Sequence, residues 1–116
     1  MNLIHHKNLD QQKWFAASLC YQMANIGSEV SRTIIWRNKN RLDYSDTAFE
    51  RALELIDLTV SDPKNHRRGR LREILRAREM LVAWKLNPVS DPEEDAQWQR
   101  YFDSFAVAYR AGYCPV

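Results

Sequence analysis

Apolar residues recur along most of the chain at steps of three and four positions, the spacing of one face of a helix. The clearest run covers residues 11–37, and its apolar positions are Phe15, Leu19, Met23, Ile26, Val30 and Ile34. Asp10 stands directly before this run, where its side chain can cap the first helical N–H groups. Gly27 lies inside the run, and a glycine there costs about 1 kcal/mol relative to alanine. We therefore predict a helix over residues 11–37 that packs closely against a neighbouring helix at Gly27.

Two further amphipathic runs predict a second helix over residues 46–61 and a third over about residues 70–86. Asp43 or Ser45 can cap the second helix. Pro63 separates the two helices, because the residue before a proline avoids the helical region and favours a turn. The inward-facing positions are Phe49, Leu53, Ile56 and Val60 in the second helix, and Leu71, Ile74, Leu75, Leu81 and Val82 in the third.

A fourth helix is predicted after residue 90 by two alternative start signals. Ser90 with Glu93 forms a capping box, or Asp91 is the cap and Pro92 occupies the first turn. Gly112 is a C-terminal stop signal. The predicted inner positions of this helix are Trp98, Phe102, Phe105 and Tyr109.

Four amphipathic helices with short connections and no alternating strand pattern predict an all-α fold, an antiparallel up-down-up-down four-helix bundle. The 116 residues fit a single domain over residues 1–116, and a chain of this size can bury a real core. With 45% hydrophobic and 28% charged residues, the composition is typical of an ordered domain and not of a disordered tail.

Cysteine usage and hydropathy predict the compartment. Cys20 and Cys114 lie far apart and neither belongs to a CxxC motif, so we expect reduced thiols and no zinc site. No apolar run is long enough to span a membrane, and residues 1–13 lack the apolar segment of a signal peptide. We expect a cytoplasmic protein that does not contact a membrane.

Charge is concentrated in one stretch, although the formal net charge is only +2. Seven cations and one acid, Glu73, lie between Lys64 and Arg78. We call residues 64–72 the basic turn. In the predicted bundle it shares one end with His5, His6, Lys7 and Tyr113, where the nearest acids are Asp10, Asp57 and Asp62.

Arginine fits phosphate with two parallel hydrogen bonds, so a poorly neutralised basic turn indicates anion or nucleic-acid binding. The candidate residues are Lys64, His66, Arg67, Arg68, Arg70 and Arg72. The alternative is a solvated helix face with local ion pairs, which is our interpretation of Arg76 and Arg78. At the opposite end, cations meet acids, and we expect a salt-bridged surface there formed by Arg32, Arg37, Lys39 and Arg41 with Asp91, Glu93, Glu94 and Asp95.

Catalytic and metal-binding patterns are missing from the sequence. No histidine follows a glutamate at the spacing of a di-iron bundle, and none follows an arginine at the spacing used by small helical toxin ribonucleases. Acids on one face of the second helix, Glu50, Glu54 and Asp57, are interpreted as solvated. We expect a non-enzymatic protein without metal or cofactor, the alternative being an enzyme that binds a phosphorylated small molecule.

Four tryptophans carry a large apolar area. Trp98 fits the core stripe of its helix, whereas Trp36 and Trp84 lie off the inner stripes. Together with Trp14 and Tyr101, these two tryptophans supply more apolar surface than one bundle can bury. We therefore predict a homo-oligomer interface formed by Trp14, Trp36, Trp84 and Tyr101. The alternative is that one bundle buries all of them.

Two short segments resemble a known family. The segments are Ala24-Asn25-Ile26-Gly27-Ser28-Glu29 followed by Arg32, and Phe49 followed by Ala52-Leu53-Glu54-Leu55. They are similar to segments of the bacterial four-helix proteins encoded in ribosomal-RNA intervening sequences and of the related accessory variability proteins of diversity-generating retroelements. The resemblance implies a small basic bundle that assembles as a ring, with nucleic acid as a ligand of the retroelement members.

We therefore predict a non-enzymatic homo-oligomeric bundle whose basic turn contacts RNA or DNA phosphate with little sequence specificity. The alternative function is a protein-interaction module whose basic turn docks on an acidic protein partner.

Overall fold

The computed structural model describes residues 3–6, 8–67 and 69–114. Over these residues the chain forms five α-helices and no strand. The prediction of an all-α fold is confirmed. The helices are α1 (Gln11–Ala16), α2 (Leu19–Asn38), α3 (Leu42–Ser61), α4 (Arg70–Leu86) and α5 (Pro92–Ala111), and a short 3-10 turn, Pro63–Asn65, follows α3.

The first predicted helix is divided in two. Asp10 caps α1 as expected, accepting hydrogen bonds from the N–H groups of Gln12 and Lys13. The helix ends at Ala16, and Ser18 then caps α2 by accepting from the N–H of Tyr21 at 3.1 Å. Serine is a strong N-cap residue, and its hydroxyl favours a new helix start over continuation of the old one.

The helix starts differ from the prediction in one case. Neither Asp43 nor Ser45 caps α3, because the helix begins at residue 42 and both residues lie inside it. Ser45 is buried and donates its hydroxyl to the carbonyl of Thr33. For α5, the structure selects between the two alternatives: Asp91 accepts from the N–H of Glu93, and Pro92 occupies the first turn.

Helix α2 is the centre of the packing and contacts both α3 and α5, whereas α4 packs on α3. The described residues form one hydrophobic core, and most predicted inner positions belong to it. Leu75 and Tyr109 are wrong predictions, because both are exposed. The buried predicted positions are Met23, Ile26, Val30, Ile34, Phe49, Ile56, Ile74, Leu81, Trp98 and Phe102.

Cys20 and Cys114 form a disulfide, so the expectation of reduced thiols is wrong. The bond joins the start of α2 to the segment that follows α5, and the two Cα atoms are 5.9 Å apart. Because α2 and α5 pack against each other, two cysteines separated by 94 positions in the sequence meet at one end of this helix pair.

None of the helices in the described ranges combines the length and the apolar character needed to cross a bilayer.

Candidate nucleic-acid interface

Lys64, the first cation of the basic turn, points into the protein. Its Nζ donates to the carbonyl oxygen of Phe15 at 2.9 Å and forms an ion pair with the buried carboxylate of Asp62. Lys64 thus attaches the turn after α3 to α1, and its charge is neutralised within the chain. It is the one predicted phosphate contact that has a carboxylate partner among the described residues.

A buried polar network surrounds this ion pair. Gln22 donates to the carboxylate of Asp62 at 2.8 Å and to the carbonyl of Trp14 at 2.9 Å, and Asn65 donates to the side-chain oxygen of Gln22. Burial raises the pKa of Asp62, but hydrogen bonds from Lys64 and Gln22 outweigh burial and hold this pKa below its ordinary value. This network is not predictable from the sequence, because polar residues at buried positions carry no periodic signal.

His66 follows the 3-10 turn and is exposed. Its Nε2 lies within hydrogen-bond distance of the carbonyl oxygen of Val60, so this nitrogen is the donor. The contact holds the imidazole against the end of α3. The prediction for Arg68 lies outside the described residues.

Three further cations of the basic turn have no acid partner among the described residues. Within the described ranges, Arg67, Arg70 and Arg72 form no ion pair; Arg67 and Arg72 are exposed and Arg70 is half-buried. Arg76 is also exposed without an ion pair and lies four positions after Arg72, on the same side of α4. Arg78 instead pairs with Asp57 at 2.9 Å, as expected for an ordinary helix surface.

The N-terminal segment does not join the basic turn. His5 Nε2 lies 2.9 Å from a carboxylate oxygen of Glu50, and His6 Nδ1 lies 2.9 Å from one of Glu54, so both contact the middle of α3. Glu54 also accepts from the backbone N–H groups of Ile4 and His5. The interpretation of Glu54 as a solvated side chain is therefore wrong.

Glu54 is an ionised anchor for the N-terminal segment. Burial raises its pKa, but hydrogen bonds from His5, His6 and Ile4 outweigh burial and place the pKa below its ordinary value. Nearly fifty positions separate these residues from Glu54, so the sequence pattern could not reveal the contact.

One ion pair of the predicted set, between Arg37 and Asp95, forms at the opposite end of the helices, whereas Arg32 pairs with Glu29 and Arg41 with Asp43. The guanidinium of Arg37, at the end of α2, pairs with Asp95 in the first turn of α5 and lies over the ring of Trp84. Lys85 pairs with Asp46 at 2.6 Å. The cations of this end are therefore partly neutralised within the chain.

Two residues of the predicted oligomer interface, Trp14 and Trp84, are buried in the chain's own core, so their assignment to an interface is wrong. Each indole N–H finds an internal acceptor: Trp14 donates to Thr59 Oγ1 at 3.3 Å and Trp84 to Asp95 Oδ1 at 2.8 Å. Such partners allow a buried tryptophan to satisfy its polar atom.

Trp36 and Tyr101, the other two predicted interface residues, are half-buried. Trp36 packs against Tyr44 with ring centroids 4.9 Å apart. Tyr101 packs on Trp98 and donates its hydroxyl to Glu73 at 3.2 Å. Burial and the nearby Glu73 carboxylate raise the pKa of Tyr101 far above its ordinary value.

A shallow groove separates α4 from α5. Its volume is about 290 Å³, and its apolar lining comes from Ala77, Met80, Trp98 and Tyr101. Met80 is 53% exposed at this groove. The described residues contain no group of three or more His, Cys, Asp or Glu side chains placed to hold a metal ion.

Comparisons with protein families, with curated proteins and with solved structures find no match for this chain. The resemblance to the intervening-sequence proteins stays a prediction.

Proposed function

We propose that the chain binds nucleic-acid phosphate without catalysing a reaction, through Arg67, Arg70 and Arg72 of the basic turn. One observation carries the proposal: the cations that flank these arginines, Lys64 and Arg78, are neutralised by Asp62 and Asp57, whereas the arginines between them have no acid partner in the described part of the turn. Arg68 is included on the sequence pattern alone.

Phosphate is the anion that this arrangement fits best. A guanidinium presents planar donors that match two phosphate oxygens, and several arginines on one surface release counterions when they bind a polyanion. Contacts to phosphate carry no base information, so little sequence specificity is expected.

The proposal includes the antiparallel up-down-up-down order of α2, α3, α4 and α5. Two ion pairs support it: Arg37 at the end of α2 meets Asp95 at the start of α5, and Lys85 at the end of α4 meets Asp46 at the start of α3. In this order the acidic first turn of α5 lies at the end away from the basic turn, which leaves the basic turn without that counter-charge.

Fluorescence anisotropy with labelled single- and double-stranded RNA and DNA tests the proposal. We expect binding at low salt that weakens steeply as salt rises, with a log-log slope that becomes shallower by about 1 for each phosphate contact removed. Arg67→Ala and Arg72→Ala should each weaken binding to all sequences alike. Arg51→Ala is the matched control, since Arg51 is exposed and has no ion pair in the described ranges. Absence of binding at low salt, or an equal loss in the control, would contradict the proposal.

A protein-interaction module is the second candidate, and the apolar α4–α5 groove favours it. Pull-down with and without nuclease separates the two candidates, because a protein partner retained after nuclease supports this one. A homo-oligomer remains part of the proposal with Trp36 and Tyr101 as its interface residues, and light scattering after size exclusion tests it: a monomer mass would contradict it.

We also propose a cytoplasmic location for the protein. A cytoplasmic location rests on the sequence, and the Cys20–Cys114 disulfide is the observation against it, because cytosolic reductants keep most thiols reduced. Alkylation of free thiols in intact cells before lysis would decide whether the bond exists where the protein resides.

A further inference from the structure

The groove between α4 and α5 presents apolar surface to the outside of the protein. Helix α4 packs on α3 and α5 packs on α2, and the side chains that meet between α4 and α5 leave a depression of about 290 Å³. Met80 on α4 lines this groove and is exposed, and the core residue Trp98 on α5 lies in the same lining. Apolar grooves with a polar rim are typical of contact sites between proteins.

Unpaired charges of both signs border this groove. Arg76 on α4 is exposed, and its side chain forms no ion pair or hydrogen bond within the described ranges. Glu94 on α5 is half-buried, and its carboxylate also has no partner in that part of the chain. Glu73, the third charged residue of the lining, accepts from the hydroxyl of Tyr101. The groove therefore carries one unpaired cation on the α4 side and one unpaired anion on the α5 side.

This pattern of charges selects among partners. Nucleic acid or an acidic protein would meet the carboxylates of Glu73 and Glu94, and a basic protein would meet the guanidinium of Arg76. A second copy of the chain carries both signs. A two-fold axis that passes midway between Arg76 and Glu94, perpendicular to the line that joins them, brings each of the two residues opposite the other residue of the second copy. One such contact neutralises all four charges.

We propose that two copies of the chain form a two-fold symmetric dimer through the α4–α5 groove. Arg76 of each copy pairs with the partner's Glu94, and Met80 of each copy covers the apolar lining of the other groove beside Trp98. Tyr101 lies in the same lining. The inference thus rests on the homo-oligomer of the proposed function and assigns its contact surface.

The length of the two helices suits a dimer contact. Helix α4 has 17 residues and α5 has 20, so the face they share is about 25 Å long. This length is close to the side of a square patch of roughly 800 Å², the area that each partner contributes to a standard interface. Trp36 does not line the groove, and this dimer does not use it.

Sedimentation velocity of the full chain over a range of protein concentrations tests the dimer and its charge pairs. Arg76→Glu and Glu94→Arg each replace two attractive contacts by two like-charge contacts. Each should raise the dimer dissociation constant at least about ten-fold. The matched controls, Arg51→Glu and Glu79→Arg, reverse exposed charges that do not line the groove and should leave the dissociation constant unchanged.

An equimolar mixture of Arg76→Glu and Glu94→Arg tests whether these residues face each other across two copies. In a mixed dimer the introduced carboxylate faces the introduced guanidinium, and the native Glu94 and Arg76 side chains face each other, so both contacts are attractive again. Native mass spectrometry separates the mixed dimer from both homodimers by mass, and we expect the mixed dimer to predominate. A rearrangement within one chain cannot give this result, because each chain carries only one substitution.

Met80→Glu tests the apolar part of the contact. Met80 is exposed in the single chain, so the variant should fold, but its charge would lie against the apolar lining of the second copy. We expect the dimer dissociation constant to rise at least about ten-fold. Leu75→Glu is the control, because Leu75 is exposed on the same helix and does not line the groove.

Three outcomes would overturn the proposal. A wild-type monomer at all concentrations would overturn it together with the homo-oligomer of the proposed function. A wild-type dimer that is unchanged by Arg76→Glu and Glu94→Arg would overturn this contact alone, because the homo-oligomer would then use another surface. Loss of the dimer in both variants without recovery in their mixture would show that the two side chains do not face each other across the copies.

Discussion

Gly27 on α2 lies directly against the side chain of Phe102 on α5. A Cβ atom added at residue 27 would stand 2.4 Å from the Cβ of Phe102, closer than non-bonded carbons approach. The prediction that Gly27 marks a close helix contact is confirmed. Because the obstructing atom is attached to the backbone of α5, rotation of the phenyl ring cannot relieve the clash.

Gly27→Ala is therefore expected to destabilise the chain. Alanine favours the helix by about 1 kcal/mol, but overpacking a close contact costs about 1 to 3 kcal/mol. The cost should dominate, since α2 and α5 must separate to admit the methyl group. Urea denaturation measures the free energy of unfolding of both proteins. Ser28, the exposed neighbour, provides the control: the free energy of unfolding of Ser28→Ala should stay within about 0.5 kcal/mol of wild type. A Gly27→Ala variant that is more stable than wild type would contradict the close contact with Phe102.

Asp95, at the start of α5, binds the buried Trp84 and the largely buried Arg37. One carboxylate oxygen accepts from the indole of Trp84, and the other pairs with Arg37. Asp95→Ala removes both interactions and leaves a largely buried guanidinium without its counter-ion, which costs about 3 to 5 kcal/mol. Urea unfolding should show this loss. Asp103→Ala, an exposed substitution on the same helix, should change the free energy by less than about 0.5 kcal/mol; equal effects of the two would contradict the buried role of Asp95.

The sequence predicted the helices well because apolar spacing depends only on neighbours along the chain. The break at Ser18 was missed, since the apolar pattern continues through it and only the capping hydroxyl marks the end of α1. The buried tryptophans were misassigned for a related reason. The helical pattern does not show that Trp14 lies in a separate short helix. It also does not show that Asp95 accepts a hydrogen bond from the indole of Trp84.

The candidate site was predicted only in outline. The charge pattern of the sequence predicts the basic turn, but it does not show that Lys64 pairs with Asp62 while Arg67 and Arg72 are exposed without an ion pair in the described ranges. Which cation meets an acid depends on contacts between elements far apart in sequence. The burial of Glu29 is not predictable from the sequence, because nothing in the neighbouring residues shows that one of its carboxylate oxygens is buried without a donor.

Removal of the Cys20–Cys114 disulfide should cost about 2 to 4 kcal/mol, because the bond closes a long loop and restricts the unfolded chain. We expect Cys20→Ser/Cys114→Ser to unfold at lower urea concentration than the oxidised wild type. A reductant should lower the stability of the wild type to that of the double variant and leave the variant unchanged. Identical unfolding of the wild type with and without reductant would contradict a stabilising bond.

The ion pair of Asp62 predicts a pH dependence of stability. The pKa of Asp62 is lower in the folded chain than in the unfolded chain, since the hydrogen bonds from Lys64 and Gln22 favour the carboxylate more than burial opposes it. The ionised Asp62 carboxylate therefore contributes its full stabilisation above its pKa in the unfolded chain, about 3.9. This stabilisation is lost as the pH falls through the pKa of Asp62 in the folded chain. Asp62→Asn should lower the free energy of unfolding by about 1 to 3 kcal/mol near neutral pH.

Urea unfolding over a pH series checks the sign. The difference between wild type and Asp62→Asn should be constant near neutral pH and should shrink as the pH is lowered from about 5 towards 2. The pKa of Glu54 is also lowered in the folded chain. The comparison is therefore repeated in a Glu54→Gln background, which removes the pH dependence that Glu54 contributes to stability. A difference that grows on acidification in that background would mean that the Asp62 carboxylate is destabilised in the folded chain, against the contacts to Lys64 and Gln22.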